Sequence, residues 1–234
     1  FSDEQKKRLV IRTNSPGSKF YSADLILAHI LKKDRAFILA HPEYRISIRE
    51  LARSLYGYIR RLQGWSIARI TGHKEFYGLD FTVNRHTLIP RPETELIVDL
   101  ALSDIQKISA GGVPYLLADI GTGSGCIPIS ILKKTTHLPQ AAYATDISRG
   151  ALRVARRNVE KHAVRLTCLQ GNLGQPILNT LKSGAEPILL TANLPYLTER
   201  QFKEEPSIRH EPHTALVADE NGLALYRELL AQLK

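Results

Sequence analysis

The chain has 234 residues, 43% of them apolar and 24% charged, with 15 Gly and 12 Pro, an ordinary globular composition that excludes disorder and fibres. The length suits one large domain or two modest ones, and no apolar run is long enough to span a membrane. The start, Phe1-Ser-Asp-Glu, lacks the apolar stretch of a secretory signal, and two cysteines, Cys126 and Cys168, make neither a disulfide framework nor a Cys-based zinc site. A cytoplasmic protein is expected. The net charge of +9 is uneven: residues 1–70 hold 14 Lys+Arg against 6 Asp+Glu, while residues 71–234 hold 18 against 17. A basic module beside a near-neutral one suits docking of an acidic protein, RNA or both, although a solvated helix face has the same composition. The chain has no methionine, which at this length leads us to expect residues beyond those given.

The first 65 residues read as helices. Ser22 is a good N-cap for a helix with apolar residues at 23, 26, 27, 30 and 31. Arg35–Ala40 predicts a second helix, stopped by Pro42. Ser47–Leu62 predicts a third, with Ile48, Leu51, Leu55, Tyr58, Ile59 and Leu62 on one face. Glu75–Val83 alternates around a Gly turn and reads as a β-hairpin. A helix over Glu93–Ile108 follows, and then strands and helices alternate. Strands are expected at Tyr115–Ile120, Ala141–Thr145, Arg165–Leu169 and Pro187–Ala192, with helices at Cys126–Lys134, Arg149–His162 and Leu223–Leu233. This pattern means parallel strands with helical crossovers, a doubly wound α/β domain. With only four central strands placed, a further C-terminal piece is expected.

The local signal for chemistry is Asp119-Ile-Gly-Thr-Gly-Ser-Gly, at the end of the first parallel strand. Gly121, Gly123 and Gly125 let backbone turn sharply and approach a ligand, in the crevice where open α/β sheets bind ligands. The third glycine comes one residue too early for a dinucleotide fingerprint. The loop instead resembles the first motif of class I S-adenosylmethionine-dependent methyltransferases. Asp146 ends the next strand, where a carboxylate can accept ribose hydroxyls. Asn193-Leu-Pro-Tyr ends the fourth and resembles the Asn-Pro-Pro-Tyr motif of enzymes that methylate planar, conjugated nitrogens. There the Asn side-chain oxygen and the next carbonyl can accept both N–H bonds, fixing the plane and favouring charge that develops on the nitrogen.

These motifs leave adenine, guanine and glutamine amide nitrogens open as acceptors. Thr71–Phe81, Leu88–Glu95, Asp34–Glu43 and Glu211–Leu216 narrow the choice, because they resemble the HemK/PrmC release-factor glutamine methyltransferase family. The resemblance runs from about residue 22 to the end. It implies a Rossmann-like class I methyltransferase domain preceded by a small helical bundle and a β-hairpin linker: residues 1–68 for docking, 69–92 as linker, 93–234 as methyltransferase. It implies S-adenosyl-L-methionine as cofactor, S-adenosyl-L-homocysteine as product, and the glutamine of the Gly-Gly-Gln motif in class I peptide chain release factors as substrate. Carried over by residue, Asp119, Gly121, Thr122, Gly123 and Gly125 would hold the methionine end of the cofactor. Asp146 and Ile147 would serve the ribose, and Asn172 and Leu173 the adenine side. Asn193, Leu194, Pro195 and Tyr196 would hold the glutamine amide, Asn193 also meeting the cofactor, with Arg91, Pro92, Glu93 and Thr94 lining the wall between the two ligands. Leu194 stands where the family motif has its first proline, and Asn172 where the family usually has an acidic residue.

The eight histidines are scattered, so no metal is expected. Cys126 opens a helix, where a thiol pKa can fall, but it reads better as a small packed residue. Trp65 reads as a core or interdomain anchor. A monomer is expected. Two other readings compete: methylation of a nucleobase amino group on RNA or DNA, and a non-catalytic RNA- or ribosome-associated module.

Overall fold

The computed structural model describes residues 23–181 and 187–234, so the expected cap Ser22 lies outside the described residues. The chain divides into two compact units, Phe1–Thr71 and Gly72–Lys234. In the first, α1 (Ala23–Leu31), α2 (Arg35–Ala40), α3 (Ile48–Leu62) and α4 (Ile67–Thr71) pack together. The buried carboxylate of Asp24 in α1 accepts from Arg35 Nε of α2 at 2.5 Å. A Ser47–Glu50 capping box starts α3. The expected apolar stripe of α3 is present, but Ile48, Leu51, Leu55, Ile59 and Leu62 are exposed. The face that packs is the one holding Gly57, where a Cβ would stand 2.8 Å from Ile26 Cγ2 of α1. A small residue, not a large apolar one, therefore sets that helix contact. Helix α4 escapes sequence reading because five residues are too few to show a period.

The second unit opens with the hairpin β1 (His73–Phe76) and β2 (Leu79–Thr82), paired antiparallel through Phe76 and Leu79. Tyr77 and Gly78 both have positive φ, the two-residue turn whose twist suits a hairpin. A 3-10 turn, Pro92–Thr94, precedes α5 (Glu95–Ala110), so the expected helix start at Glu93 is a tighter turn. The alternating region follows as β3 (Leu116–Ile120), α6 (Cys126–Lys134), β4 (Ala141–Asp146), α7 (Arg149–His162), β5 (Thr167–Gln170), α8 (Gln175–Thr180), β6 (Ile188–Ala192) and α9 (Glu199–Glu204). A single turn, α10 (Asp219–Gly222), leads into α11 (Ala224–Gln232). The expected strands and helices lie within two residues of those observed; the short helices α8 and α9 were not among those expected.

The four parallel strands run in the order β5-β4-β3-β6. All five residues of β3 are buried, as a central strand covered on both faces requires. Its alternate residues face two separate cores. Leu117 joins Val98, Ile105, Ile129, Ile131 and the hairpin's Phe76 and Phe81. Ala118 and Ile120 join Leu173, Ile177, Leu194 and Leu229 on the other side. Each fully buried large side chain contributes about 1.5–3 kcal/mol of hydrophobic stabilisation. The hairpin is locked to this unit by Asn158 of α7, which is fully buried. Its Oδ1 accepts from Thr82 N at 2.9 Å, and its Nδ2 donates to Thr82 O at 3.0 Å and to Ser124 O at 2.8 Å. Asn158→Ala leaves these backbone groups unpaired and should lower the unfolding free energy by about 3 kcal/mol, roughly 1 per lost bond. Urea unfolding measures this.

Candidate active site

Strand order reverses at β3: the chain passes from it to β4 on one side, while β6 lies on the other. The register pairs Asp119 with Thr191 and Ile120 with Ala192, so the loops after β3 and β6 leave the sheet next to each other. Gly121, Gly123 and Gly125 have φ of 69, 58 and 80, a left-handed series that few other residues adopt. At Gly121 a Cβ would also stand 2.9 Å from Leu194 Cδ2, so this glycine lets the two loops touch. Thr122 N donates to Thr145 O at 2.8 Å, and Gly123 N to Asp146 Oδ2 at 2.9 Å. The loop is thereby stitched to the end of β4.

Asp119 is buried, and Oδ1 accepts from Thr191 Oγ1 at 2.6 Å. Asp119 Oδ2 and Thr122 Oγ1 are buried polar atoms with no hydrogen-bond partner among the described residues. Burial pushes the Asp119 carboxyl up to about 7; the Thr122 hydroxyl, close by but without a well-formed hydrogen bond, and the bonded Thr191 hydroxyl oppose the shift, and Asp146 adds to it. Such a carboxyl is poised for a cation, which would return it to its ionised form. Asp146 is also raised by burial, against the Ser148 and Gly123 N–H groups that favour its charged form. Its Oδ1 accepts from Ser148 N at 2.8 Å, so both oxygens are oriented and each keeps a lone pair. Ser148 caps α7 through Ala151 N. Ile147 beside it is exposed. Asn172 donates to Glu228 Oε1 of α11 at 2.5 Å. Leu173 is buried and its carbonyl accepts from Thr145 Oγ1 at 2.7 Å. Cys126 is packed away: burial drives its thiol to about 12, outweighing the helix start.

At the end of β6, Asn193 is half-buried, and its Nδ2 donates to Thr94 Oγ1 at the long distance of 3.4 Å. That bond turns Oδ1, the acceptor, away from Thr94. Leu194 is buried in the core cluster of β3, and its N–H donates to Tyr226 Oη of α11 at 3.2 Å. Pro195 is half-buried and Tyr196 is 59% exposed. Behind this loop the chain leaves room at Gly222, where a Cβ would meet Tyr196 O at 2.1 Å. On the wall, Thr94 is buried, Arg91 is half-buried, and Pro92 and Glu93 are exposed. The Leu88–Thr94 segment is held by Glu211, whose side chain is 3% exposed. Glu211 Oε2 accepts from Ile89 N at 2.9 Å, and Oε1 accepts from Arg91 Nη2. Sequence reading missed Thr191, Glu211 and Tyr226 as parts of this site. Glu211 lay in a quoted motif, but nothing local signals what it touches.

The PrmC N-terminal domain family matches residues 11–72, and the methyltransferase small domain family matches residues 100–182. The chain is 34% identical over 219 residues to the release factor glutamine methyltransferase of Koribacter versatilis, spanning 91% of this chain and 73% of that one. It is 38% identical to the same-named protein of Moorella thermoacetica, over 89% of this chain and 71% of that one. The chain belongs to the release factor glutamine methyltransferase family. The fold is also that of the hMettl16 catalytic domain solved with a MAT2A 3'UTR hairpin: TM-score 0.54 at 18% identity, over 89% of this chain and 74% of that one. Against the release factor glutamine methyltransferase pattern, Leu194 supplies an N–H that proline lacks, and the structure uses it.

The raised Asp119 carboxyl has a stability consequence with a definite sign. Its folded pKa, about 7, lies above that of an unfolded aspartate, so the native state binds the extra proton between pH of about 4 and 7. Stability of the ligand-free protein is therefore lost as pH rises through that window, and the whole cost is present above it. Asp119→Asn cannot ionise, and its new Nδ2 can reach toward the unpartnered Thr122 Oγ1. The melting temperature of Asp119→Asn minus that of the ligand-free wild type should grow between pH of about 4 and 7, then level off. Thermal melting across that range checks it.

Proposed function

We infer that this chain transfers the methyl group of S-adenosyl-L-methionine to the side-chain amide nitrogen of the glutamine in the Gly-Gly-Gln motif of class I peptide chain release factors. The carrying observation is the juxtaposition of Asn193–Tyr196 with the Gly121–Gly125 loop at one reversal point of the sheet. The residues fit the cofactor. Gly121 leaves no room for a side chain, and the unpartnered Asp119 Oδ2 suits an ammonium group. Asp146 holds two oriented oxygens for ribose hydroxyls, Ile147 offers an apolar surface beside them, and Asn172 and Leu173 stand on the adenine side. When bound, the cofactor supplies an electrophilic methyl group on a sulfonium.

The amide nitrogen of glutamine is a poor nucleophile because its lone pair is delocalised into the carbonyl. Asn193 Oδ1 and the carbonyl of Leu194 accept its two N–H bonds, which fixes its plane and favours the charge that grows as nitrogen attacks. No base is needed before transfer, since the methylated nitrogen becomes acidic and releases its proton. Tyr196 packs on the planar group beside Pro195. Arg91, Pro92, Glu93 and Thr94 form the wall toward the cofactor, with Thr94 also setting the direction of the Asn193 amide. The enzyme acts in the cytoplasm as a monomer. A nucleobase substrate and a non-catalytic module are less favoured, because family membership speaks for glutamine. A labelled-cofactor assay offering release factor, RNA and DNA side by side tests the reading; label in nucleic acid alone would overturn it.

Asn193→Ala should abolish transfer, by about a hundredfold or more, with cofactor affinity unchanged within a few-fold. Asp146→Ala should do the reverse, weakening cofactor binding in calorimetry more than it lowers the rate at saturating cofactor. The contrast separates the two halves of the site.

The helical unit supplies docking. A cleft of about 490 Å³ in it is lined by the apolar Ile26, Ile30 and Ile70 and by Arg53, Arg60 and Arg69. Arg60 stacks 4.5 Å from the Trp65 ring centroid and 5.1 Å from that of Tyr56. This chemistry suits an acidic face of the release factor, with RNA as the competing partner. Binding energy remote from the reaction should appear in kcat/KM for whole release factor and not for a short Gly-Gly-Gln peptide. Raising salt from about 0.1 M to 1 M shortens the Debye length from about 10 Å to 3 Å. The intact enzyme's kcat/KM on release factor should therefore fall steeply, and that on peptide only weakly. Steady-state kinetics on both substrates checks this.

A further inference from the structure

We propose that Tyr226 is a positioning residue for the transfer reaction, its hydroxyl holding the Asn193–Leu194 peptide plane in the place of the rigidity that a proline ring at residue 194 would provide. This rests on the glutamine-amide reading of Asn193–Tyr196. The geometry has three parts. Leu194 N–H donates to Tyr226 Oη at 3.2 Å, a bond that proline could not make. The Leu194 side chain is 3% exposed, packed among Ile120, Leu173, Ile177 and Leu229, and a Cβ at Gly121 would strike its Cδ2. Pro195 follows, which confines the backbone of Leu194 to extended conformations. The carbonyl of Leu194, one of the two acceptors for the substrate amide, is thereby held from its N–H side, its side chain and its following residue.

Of these three, the first alone grips the Leu194 backbone directly from another element, while the second acts through the side chain. Tyr226 comes from α11, 32 residues on, and is half-buried against the same core cluster. Leu194 lacks the ring that fixes φ in proline, so without the hydroxyl its backbone is restrained only through its side chain and by Pro195. A rotation there would swing both acceptors, because Asn193 and the Leu194 carbonyl flank it. Misplacing a reacting group by about 1 Å can cost two orders of magnitude in rate, so one bond at this position is felt in kcat.

The test is kinetic, with a rescue. Tyr226→Phe keeps the ring in the core and removes only the hydroxyl. It should lower kcat on a Gly-Gly-Gln peptide about tenfold, equivalent to about 1.4 kcal/mol, with the cofactor dissociation constant and melting temperature little changed. Hydrogen exchange at the Leu194 amide should speed up in the same variant. Leu194→Pro has no N–H to hold and supplies its own φ restraint, so adding Tyr226→Phe to it should cost less than about twofold. A wild-type kcat for Tyr226→Phe, or an equal tenfold loss from Tyr226→Phe in both backgrounds, overturns the proposal. Should Leu194→Pro fail to fold, unchanged exchange at Leu194 in Tyr226→Phe overturns it as well. The wild-type enzyme on the same peptide separates the two levels. No methylation there sinks the glutamine reading, whereas normal methylation with an indifferent Tyr226→Phe sinks this inference alone.

Discussion

Strands β3 and β6 lie in parallel register, Ile120 beside Ala192, so the residues that follow them leave the sheet side by side. Everything at the site inherits that pairing. It places Asp119 against Thr191, whose hydroxyl orients the carboxylate, and it sets Gly121 under Leu194. Side chains alternate with a period of two, so a slip of one residue would turn Asp119 and Thr191 to opposite faces. A strand buried on both sides cannot slip in this way without exposing one core and burying polar groups in the other. The hydrophobic cost of moving β3 thus protects the geometry of a loop that has few contacts of its own.

The same burial creates the electrostatic character of the site. Asp119 is taken out of water with only one oxygen bonded, and its carboxyl climbs to about 7. For a protein of marginal stability this is an unfavourable arrangement. It makes sense for a site that receives a cation, because the carboxylate then gains in the complex what it lacks alone. Asp146 follows a milder version of the same logic, with two backbone N–H groups offsetting its desolvation and aiming its oxygens.

Around these loops, support comes from residues far away in sequence. Glu211 grips Ile89 and Arg91, and the turn after them delivers Thr94 to Asn193. Gly222 allows a close approach to the Tyr196 backbone, and Tyr226 takes the Leu194 N–H. Asn158 ties the hairpin to the backbone of Ser124 in the glycine loop. Short loops carrying the chemistry are thus tied down by polar groups whose partners hydrophobic packing holds still.

The sequence by itself determined the alternation of strands and helices, because apolar periodicity and turn residues are local. The chemical motifs were equally local: Asp119–Gly125, Asp146 and Asn193–Tyr196 each lie where a strand meets a loop, and glycine spacing betrays a left-handed turn without any partner. Charge asymmetry was legible too, being only a count. What the chain order left undetermined is what depends on distance across the fold. The stripe on α3 gave no sign that its leucines and isoleucines face outward while Gly57 makes the contact, since periodicity shows that a face exists and not what covers it. Leu194 read only as a departure from the family's proline, for its N–H acceptor sits in α11, and only packing brings Tyr226 to it. Glu211 and Thr191 were silent for the same reason. A carboxylate or hydroxyl acquires a role from the group it meets, and that meeting is decided by sheet register and core packing, not by neighbours in the chain.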